Sequence, residues 1–457
     1  MFVRNVLQVL VLLAVAAPRY GAANWPQFRG LGARGVAANR DLPDRWSATE
    51  NVAWRTEIAG RGWSSPIVWN DRVFLTTVAG EDDSNPPKGK VEGGTVFSNH
   101  RQQTTSERQW KVLCLDLVSG KVRWERLVHR GPPPAPTHVK NSYATETPVA
   151  DGERVYAFFG NVGVFCLDFD GRPVWSQTIE PHAMQYDAGT AASPVLHGDR
   201  FYLVNDNQEK SYLLALDKRT GQQIWRVDRD EKSNWCTPYV WEDAKRTEIV
   251  TAGSGKVRAY DLDGKLLWWF TGMSGITIAT PHADQGLLYV SSGFLQDKRR
   301  PLYAIRSGAA GDISLQPGQT QNASIAWCLP TAAPYHPTTL VYDGRLYGLY
   351  DRGRLSAFYS RTGAPLFENQ RLSKETMQCW ASPWAYNGRV FCLNEDGVTF
   401  VVLSGDRFEL LHTNKLADGD LCFATPAIVG DRLLIRTSAR IYCIRNKSAT
   451  GEAAGKR

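Results

Sequence analysis

Short apolar runs alternate with polar turns along this chain, and the alternation has a long period. LLALDKRTGQQIW (Leu213 to Trp225) shows the unit: an apolar run, an Asp, a Gly three or four residues on, and a Trp four residues after that Gly. It recurs as LCLDLVSGKVRW (Leu113 to Trp124), FCLDFDGRPVW (Phe165 to Trp175) and VRAYDLDGKLLW (Val257 to Trp268). Two β-type runs joined through Asp and Gly read as an antiparallel hairpin, with Gly at the φ > 0 position that a Cβ disfavours. A second landmark precedes each unit: Ser or Thr, then Pro, a short apolar strand, a Gly-Asp-Arg type of turn and another strand. Its prolines are 66, 148, 194, 238, 281, 337, 383 and 426, the sixth copy beginning at His336 in HPTTLVYDGRLYGLY. Most intervals are 43 to 46 residues, and the two longer ones, 82 and 56, hold insertions. Eight copies of about 45 residues, each with four short strands, predict an all-β fold: an eight-bladed β-propeller of four-stranded antiparallel blades.

The ends of the pattern complement each other. The last copy stops at RIYCIR without a Trp strand, whereas Val52 to Ile58 is a Trp strand with no partner before it. Pairing them makes the N-terminal strand 52–58 the outermost strand of the last blade and removes two exposed edges. The propeller then spans 52–445, with an insertion at 80–108 in the first blade and another at 306–324 in the fifth. The first is polar and rich in Gly, Pro, Ser and Thr, and a loop of that length inside a compact domain is either functional or mobile. The second, Gly/Ala/Gln-rich, is expected to be a disordered excursion. Residues 24–51 form an arm whose WPQFRG and LPDRW aromatics should dock on the propeller, and 446–457 is a polar, disordered tail. Copies six and seven are degenerate: Phe367 replaces the Trp, and VTFVVLSGDRFELL lacks both the Asp and the Trp.

Residues 1–23 read as a signal peptide, with Arg4, the apolar run Val6 to Ala17 and the small residues Gly21-Ala22-Ala23. That run is short for a bilayer span. With no twin-Arg pair and no Cys before Cys114, the expectation is an exported chain, periplasmic or secreted, without a lipid anchor or transmembrane segment, and monomeric. Composition agrees with a folded protein: 43% hydrophobic, 22% charged, 16 Trp and 40 Gly in 457 residues. The net charge of +7 has no long basic block behind it, which argues for a mixed-charge surface and against nucleic acid as a partner. Cys114, Cys166 and Cys443 stand where other copies carry Ala215, Ala259, Ala304 and Ala357, and Cys236 where others carry Ala192, Ala279, Ala381 and Ala424, so they read as small core residues. Cys379 and Cys422 share a repeat position and are the one pair to test for a disulfide.

These units resemble pyrroloquinoline-quinone-like repeats, the family that includes quinoprotein alcohol dehydrogenases and the propeller lipoprotein of the bacterial outer-membrane protein assembly machinery. The resemblance covers about Asn24 to Arg445 and rests on Asp116 to Trp124, Asp217 to Trp225 and the shorter forms at Asp168 and Asp261. It implies that the Trp packs between blades against the neighbouring Gly turn, and it admits a quinone with Ca²⁺ in the central channel. The dehydrogenases carry a vicinal Cys-Cys pair beside the quinone, and this sequence has none. In the segments leading into the inner strands, only Asn141, Glu146 and Asp187 supply oxygens suited to calcium. The same segments carry aromatic side chains, Trp63, Tyr143, Tyr186, Trp235, Tyr335, Trp380 and Phe423, together with His336. They either pack under their own blades or line an aromatic mouth that binds a peptide, glycan or small ligand. The leading expectation is therefore an exported, non-enzymatic scaffold that binds an envelope protein, peptide or glycan and holds no cofactor. The alternative is a quinoprotein alcohol or sugar dehydrogenase using pyrroloquinoline quinone and calcium, with Trp63, Tyr143, Glu146, Asp187, Trp235, His336 and Trp380 at the channel mouth.

Overall fold

The structure is a computed structural model that describes residues 24–446 apart from 40, 81–100, 103, 376, 417 and 418. The expected signal peptide, most of the 80–108 insertion and nearly all of the tail lie outside the described residues. Eight antiparallel sheets follow one another along the chain as the blades of a propeller. The third blade is representative: Val195–His197 innermost, then Arg200–Asn205, Tyr212–Asp217 and Gln223–Asp228. In the eighth blade the outermost strand is Val52–Glu57, paired antiparallel with Arg440–Ile444 so that Trp54 lies opposite Cys443.

The Asp, Gly and Trp of the repeat have separate tasks. Asp217 Oδ1 accepts the backbone N–H groups of Arg219 and Thr220 at 2.8 and 2.9 Å, which fixes the turn. Gly221 follows with φ 74°, and the indole of Trp175, from the preceding blade, lies against it so closely that a Cβ there would stand 2.5 Å from the ring. The same indole N–H donates to Lys218 O at 2.9 Å. Trp54 on Gly120, Trp124 on Gly171, Trp225 on Gly264 and Trp327 on Gly363 repeat the contact, each with its N–H on a carbonyl of the next blade. Within its own blade each Trp faces a small residue on the adjacent strand: Cys443, Cys114, Cys166, Ala215 and Ala304. That pairing explains the cysteines there, because a larger side chain would push the indole off the turn.

All eight cysteines are buried and free, so the expected test pair, Cys379 and Cys422, is not bonded. Each is tied one blade back through its backbone, Cys379 N to Asp351 O and Cys422 N to Glu395 O, which holds them under separate blades. Burial raises both thiols well above the usual range. The expected disorder at 306–324 is likewise corrected. Gly311–Asp312 adds a parallel fifth strand to the fourth blade beside Trp268 and Trp269, and Ala309 and Ile313 bury themselves in that blade's core. Asn322 Oδ1 closes the excursion by accepting from Ser324 N and Ile325 N. Trp268, covered by this segment, turns its N–H to Glu248 Oε2 at 2.6 Å instead of to a neighbouring turn.

The arm closes one end of the channel. Trp25 exchanges two backbone hydrogen bonds with Val68 of the first blade, and Pro26 O accepts from Ala150 N of the second. Phe28 then faces the channel, and the buried Arg29 guanidinium donates to Thr339 O, Pro383 O and two arm carbonyls, Ala33 O and Arg34 O. Without a carboxylate partner, its pKa is pushed down to about 9 by burial. Gly35 and Ala37 bond Ala385 of the seventh blade, and Trp46 stacks on Phe391. At the Trp position of that degenerate blade His412 stands opposite Val401, its Nε2 2.8 Å from Asp44 O of the arm.

Candidate functional site: the channel mouth

The Ser/Thr of the second landmark forms a belt around the channel. Ser65 N donates to Thr147 Oγ1, Thr147 N to Ser193 Oγ, and Ser193 N to Thr237 Oγ1, at 2.9 to 3.0 Å. Thr280 N to Thr338 Oγ1, Thr338 N to Ser382 Oγ and Ser382 N to Thr425 Oγ1 continue it at 3.0 Å. Between the eighth and first blades Arg436 Nη1 donates to Ser64 O at 3.0 Å. The belt corrects the sixth copy: the equivalent hydroxyl is Thr338, with Thr339 in the proline's place, so His336-Pro337 lies two residues ahead of the true landmark. Thr339 Oγ1 instead bonds His282 Nε2 at 2.8 Å.

Two residues before each belt hydroxyl, a second ring faces a cavity of 270 Å³ whose floor is Phe28. It reads Trp63, Thr145, Ala191, Trp235, Ile278, His336, Trp380 and Phe423. The large rings cluster on one side. Trp63 and Phe423 have centroids 4.5 Å apart, Phe423 and Trp380 5.2 Å, Trp380 and His336 4.4 Å, and His336 and Tyr335 4.1 Å. Across from this wall are Thr145, Ala191, Trp235 and Ile278, together with Tyr186, 45% exposed on the turn Gln185–Asp187 with φ 58°. Such backbone strain at a bulky residue is concentrated at ligand sites.

Every indole at the mouth has its N–H engaged with protein: Trp63 with Lys140 O at 2.9 Å, Trp235 with Gly189 O at 2.6 Å and Trp380 with Glu395 Oε2 at 3.0 Å. What these rings offer a ligand is therefore their faces. Lys140 and Glu395, 255 residues apart, meet here as a buried ion pair at 3.4 Å, with the Lys140 ammonium 5.1 Å from the Trp380 centroid. Burial lowers the Lys140 pKa, and Glu395 opposes that shift. The Asp351 carboxylate accepts from Tyr335 N at 3.2 Å and from His336 N at 3.3 Å, and Asp351 Oδ1 also bonds His336 Nδ1, orienting that ring.

Of the expected mouth residues, Trp63, Tyr186, Trp235, Tyr335, His336, Trp380 and Phe423 line the cavity. Tyr143 does not: it lies beside Trp110, centroids 6.3 Å apart, in a separate cleft. The three expected calcium ligands are not brought together. Asn141 reaches the cavity, but its amide donates to Ala188 O and Thr190 O while its Oδ1 accepts from Ser142 N and Thr145 Oγ1. Glu146 points between blades, where Gly160 N donates to it and burial pushes its carboxyl up to about 7 against the Thr190 hydroxyl. Asp187 sits on the strained turn and is not part of the lining. Among the described residues no three His, Cys, Asp or Glu side chains gather as metal ligands, and no carboxylate lines the cavity. The residues present do not fit a calcium–quinone pair. Sequence reasoning missed Lys140, Glu395 and Asp351, whose partners are set by the ring and not by local spacing. The belt hydroxyls were visible in the Ser/Thr-Pro landmark, where they read only as strand starts.

A profile of the family described as outer membrane protein assembly factor BamB matches residues 45–210, 110–271 and 209–334. Two relatives described as outer membrane protein assembly factor BamB are similar in sequence. The one from Burkholderia pseudomallei (strain K96243) is 23% identical over 206 residues, 41% of this chain and 50% of the relative. The one from Yersinia pestis is 24% identical over 271 residues, 55% of this chain and 59% of the relative. The chain thus spans about half the length of the curated relatives it matches. Among solved structures, BamB from Moraxella catarrhalis superposes with TM-score 0.53 at 13% identity, covering 73% of this chain and 91% of that one. A europium-containing methanol dehydrogenase gives 0.58 at 10% identity, covering 90% and 89%. At such identities the superpositions speak for the fold alone. On the profile match, which extends over more than half of its length, this chain belongs to the BamB-like family of pyrroloquinoline-quinone-like β-propellers.

Proposed function

We propose that this protein is an exported binding scaffold of the cell envelope that performs no redox chemistry and takes its ligand at the aromatic mouth. The observation that carries this reading is the orientation of the mouth indoles: with Trp63, Trp235 and Trp380 N–H groups spent on protein, a stacking surface faces a cavity that no carboxylate lines. Belt hydroxyls that already accept a backbone N–H keep their own proton to donate toward the channel. A ligand with a flat, C–H-rich face and oxygen acceptors along its edge, as in a glycan or a peptide presenting such a residue, suits both features. The closed floor leaves the mouth as the route of access. The family supports an envelope partner, since its relatives are described as outer membrane protein assembly factors. Binding of the purified protein to glycan and peptide arrays tests the reading. Ligands held by the native protein and lost by Trp380→Ala and Trp63→Ala are the expected result. Binding unchanged in both variants would remove the mouth from the account.

A further inference from the structure

A second concavity, of 620 Å³, lies on the arm side of the ring, between residues 27–34 of the arm and the inner strands of blades three to five. The arm explains what is left open there. The middle residue of an inner strand turns its backbone N–H and C=O away from its own blade. At Val68 both groups bond Trp25, and at Ala385 they bond Gly35 and Ala37, while at Ala150 the N–H bonds Pro26 O. The arm thus adds main chain to blades one, two and seven, and the consecutive residues Trp25 and Pro26 are enough to step between two neighbouring blades. The equivalent residues of blades three and four, by their pairing with Phe201 and Ile249, are Leu196 and Val240. They line the concavity, are half-buried where Val68 and Ala385 are fully buried, and have no partner for these groups among the described residues. Glu242, Asp243 and Asp284 stand around them with Arg34 and His197 as the counter-charges, so the groove is acidic on a protein whose net charge is +7. Leu31, 69% exposed, forms an apolar rim.

We infer that this groove is a docking site for an extended peptide segment carrying apolar and basic side chains, which adds main-chain hydrogen bonds to Leu196 and Val240 as the arm does to Val68 and Ala150. Unpaired strand edges take up peptides by this route, with backbone bonds giving affinity and side-chain pockets giving selectivity. The groove shares Phe28, Thr237 and Thr280 with the lining of the aromatic mouth, whereas Leu196, Val240 and the acidic side chains belong to the groove alone.

The probe is a fluorescein-labelled WPQFR peptide, the sequence of residues 25–29, titrated into the full chain and followed by anisotropy. Val240→Pro deletes the outward N–H without touching a ladder bond, a position where an edge strand accepts proline. Glu242→Lys reverses one rim charge on an exposed side chain. Saturable binding is expected, weakened about tenfold by Val240→Pro through the lost hydrogen bond and weakened again by Glu242→Lys, with amide exchange at Leu196 and Val240 slowed by the peptide. An unchanged melting temperature in both variants shows that the ring is intact. Absence of binding, or binding indifferent to both substitutions, would overturn the inference. A dimer that Val240→Pro dissolves, with no peptide uptake, would overturn it in favour of a second copy as the occupant.

Discussion

The blade junctions and the channel mouth are built from one repeat by opposite means. At the junctions, five Trp residues on outermost strands make the same contact with five Gly turns of the next blade. On the mouth side the blades differ: the ring position that carries Trp in blades one, four and seven carries Thr, Ala, Ile, His or Phe in the other five. Repetition at these five junctions suits a closed ring, since neighbouring blades then meet in the same way. Variation on the mouth side has no such reason, and it yields a continuous aromatic wall facing a mixed side of Thr145, Ala191, Trp235 and Ile278. The chemistry that distinguishes this protein from a bare propeller therefore lies where the repeat is broken.

The largest effect is expected at the junction of the eighth and first blades. Trp54→Asp should remove a junction indole and place a charge in the core, lowering stability by about 4 kcal/mol in urea titration. An unchanged midpoint would mean that the junctions do not carry the ring. At the mouth, Glu395→Gln leaves the Lys140 ammonium buried beside Trp380 without its carboxylate. A loss of about 3 kcal/mol is expected. If it costs nothing, the pair is not a structural part of the mouth.

An effect of opposite sign is expected at Glu146. Its folded pKa, raised to about 7 by burial, lies above the ordinary carboxyl value, so the folded state prefers the protonated form. The stabilising contribution of that proton is complete below the ordinary value and lost as pH rises through about 7. Glu146→Gln should therefore be more stable than the native protein at pH 8, by up to about 3 kcal/mol, and nearly equal to it at pH 4.5. Identical pH–stability curves would show that the carboxyl is hydrated. The smallest effect concerns the thiols. With all eight cysteines free, the melting temperature should be the same with and without reductant, and a drop on reduction would reveal a disulfide.

The blade junctions were legible in the sequence, and so were the mouth aromatics apart from Tyr143, but the polar groups that position those rings were not. Asp217, Gly221 and Trp225 act within one hairpin or on the adjacent blade, so their spacing along the chain repeats their spacing in space. The belt hydroxyls left the same kind of trace, except in the sixth blade, where a shift between His336 and Thr338 hid the register. Ala309, Ile313 and Asn322 order a segment whose composition suggested disorder, because two apolar residues and one Asn turn suffice when a neighbouring blade offers an edge. Lys140 with Glu395 could not be read at all. Their contact depends on closing a ring of eight blades, and nothing local to either residue announces it.

The mouth is proposed to stack a ligand and to hold no quinone. Titrating the purified protein with pyrroloquinoline quinone and Ca²⁺, while following quinone absorbance and dye-linked oxidation of alcohols and sugars, tests it directly. The account predicts no stoichiometric uptake and no oxidation, because Asn141, Glu146 and Asp187 do not converge on one point. One quinone bound per chain with dye reduction would contradict it and make the protein a dehydrogenase.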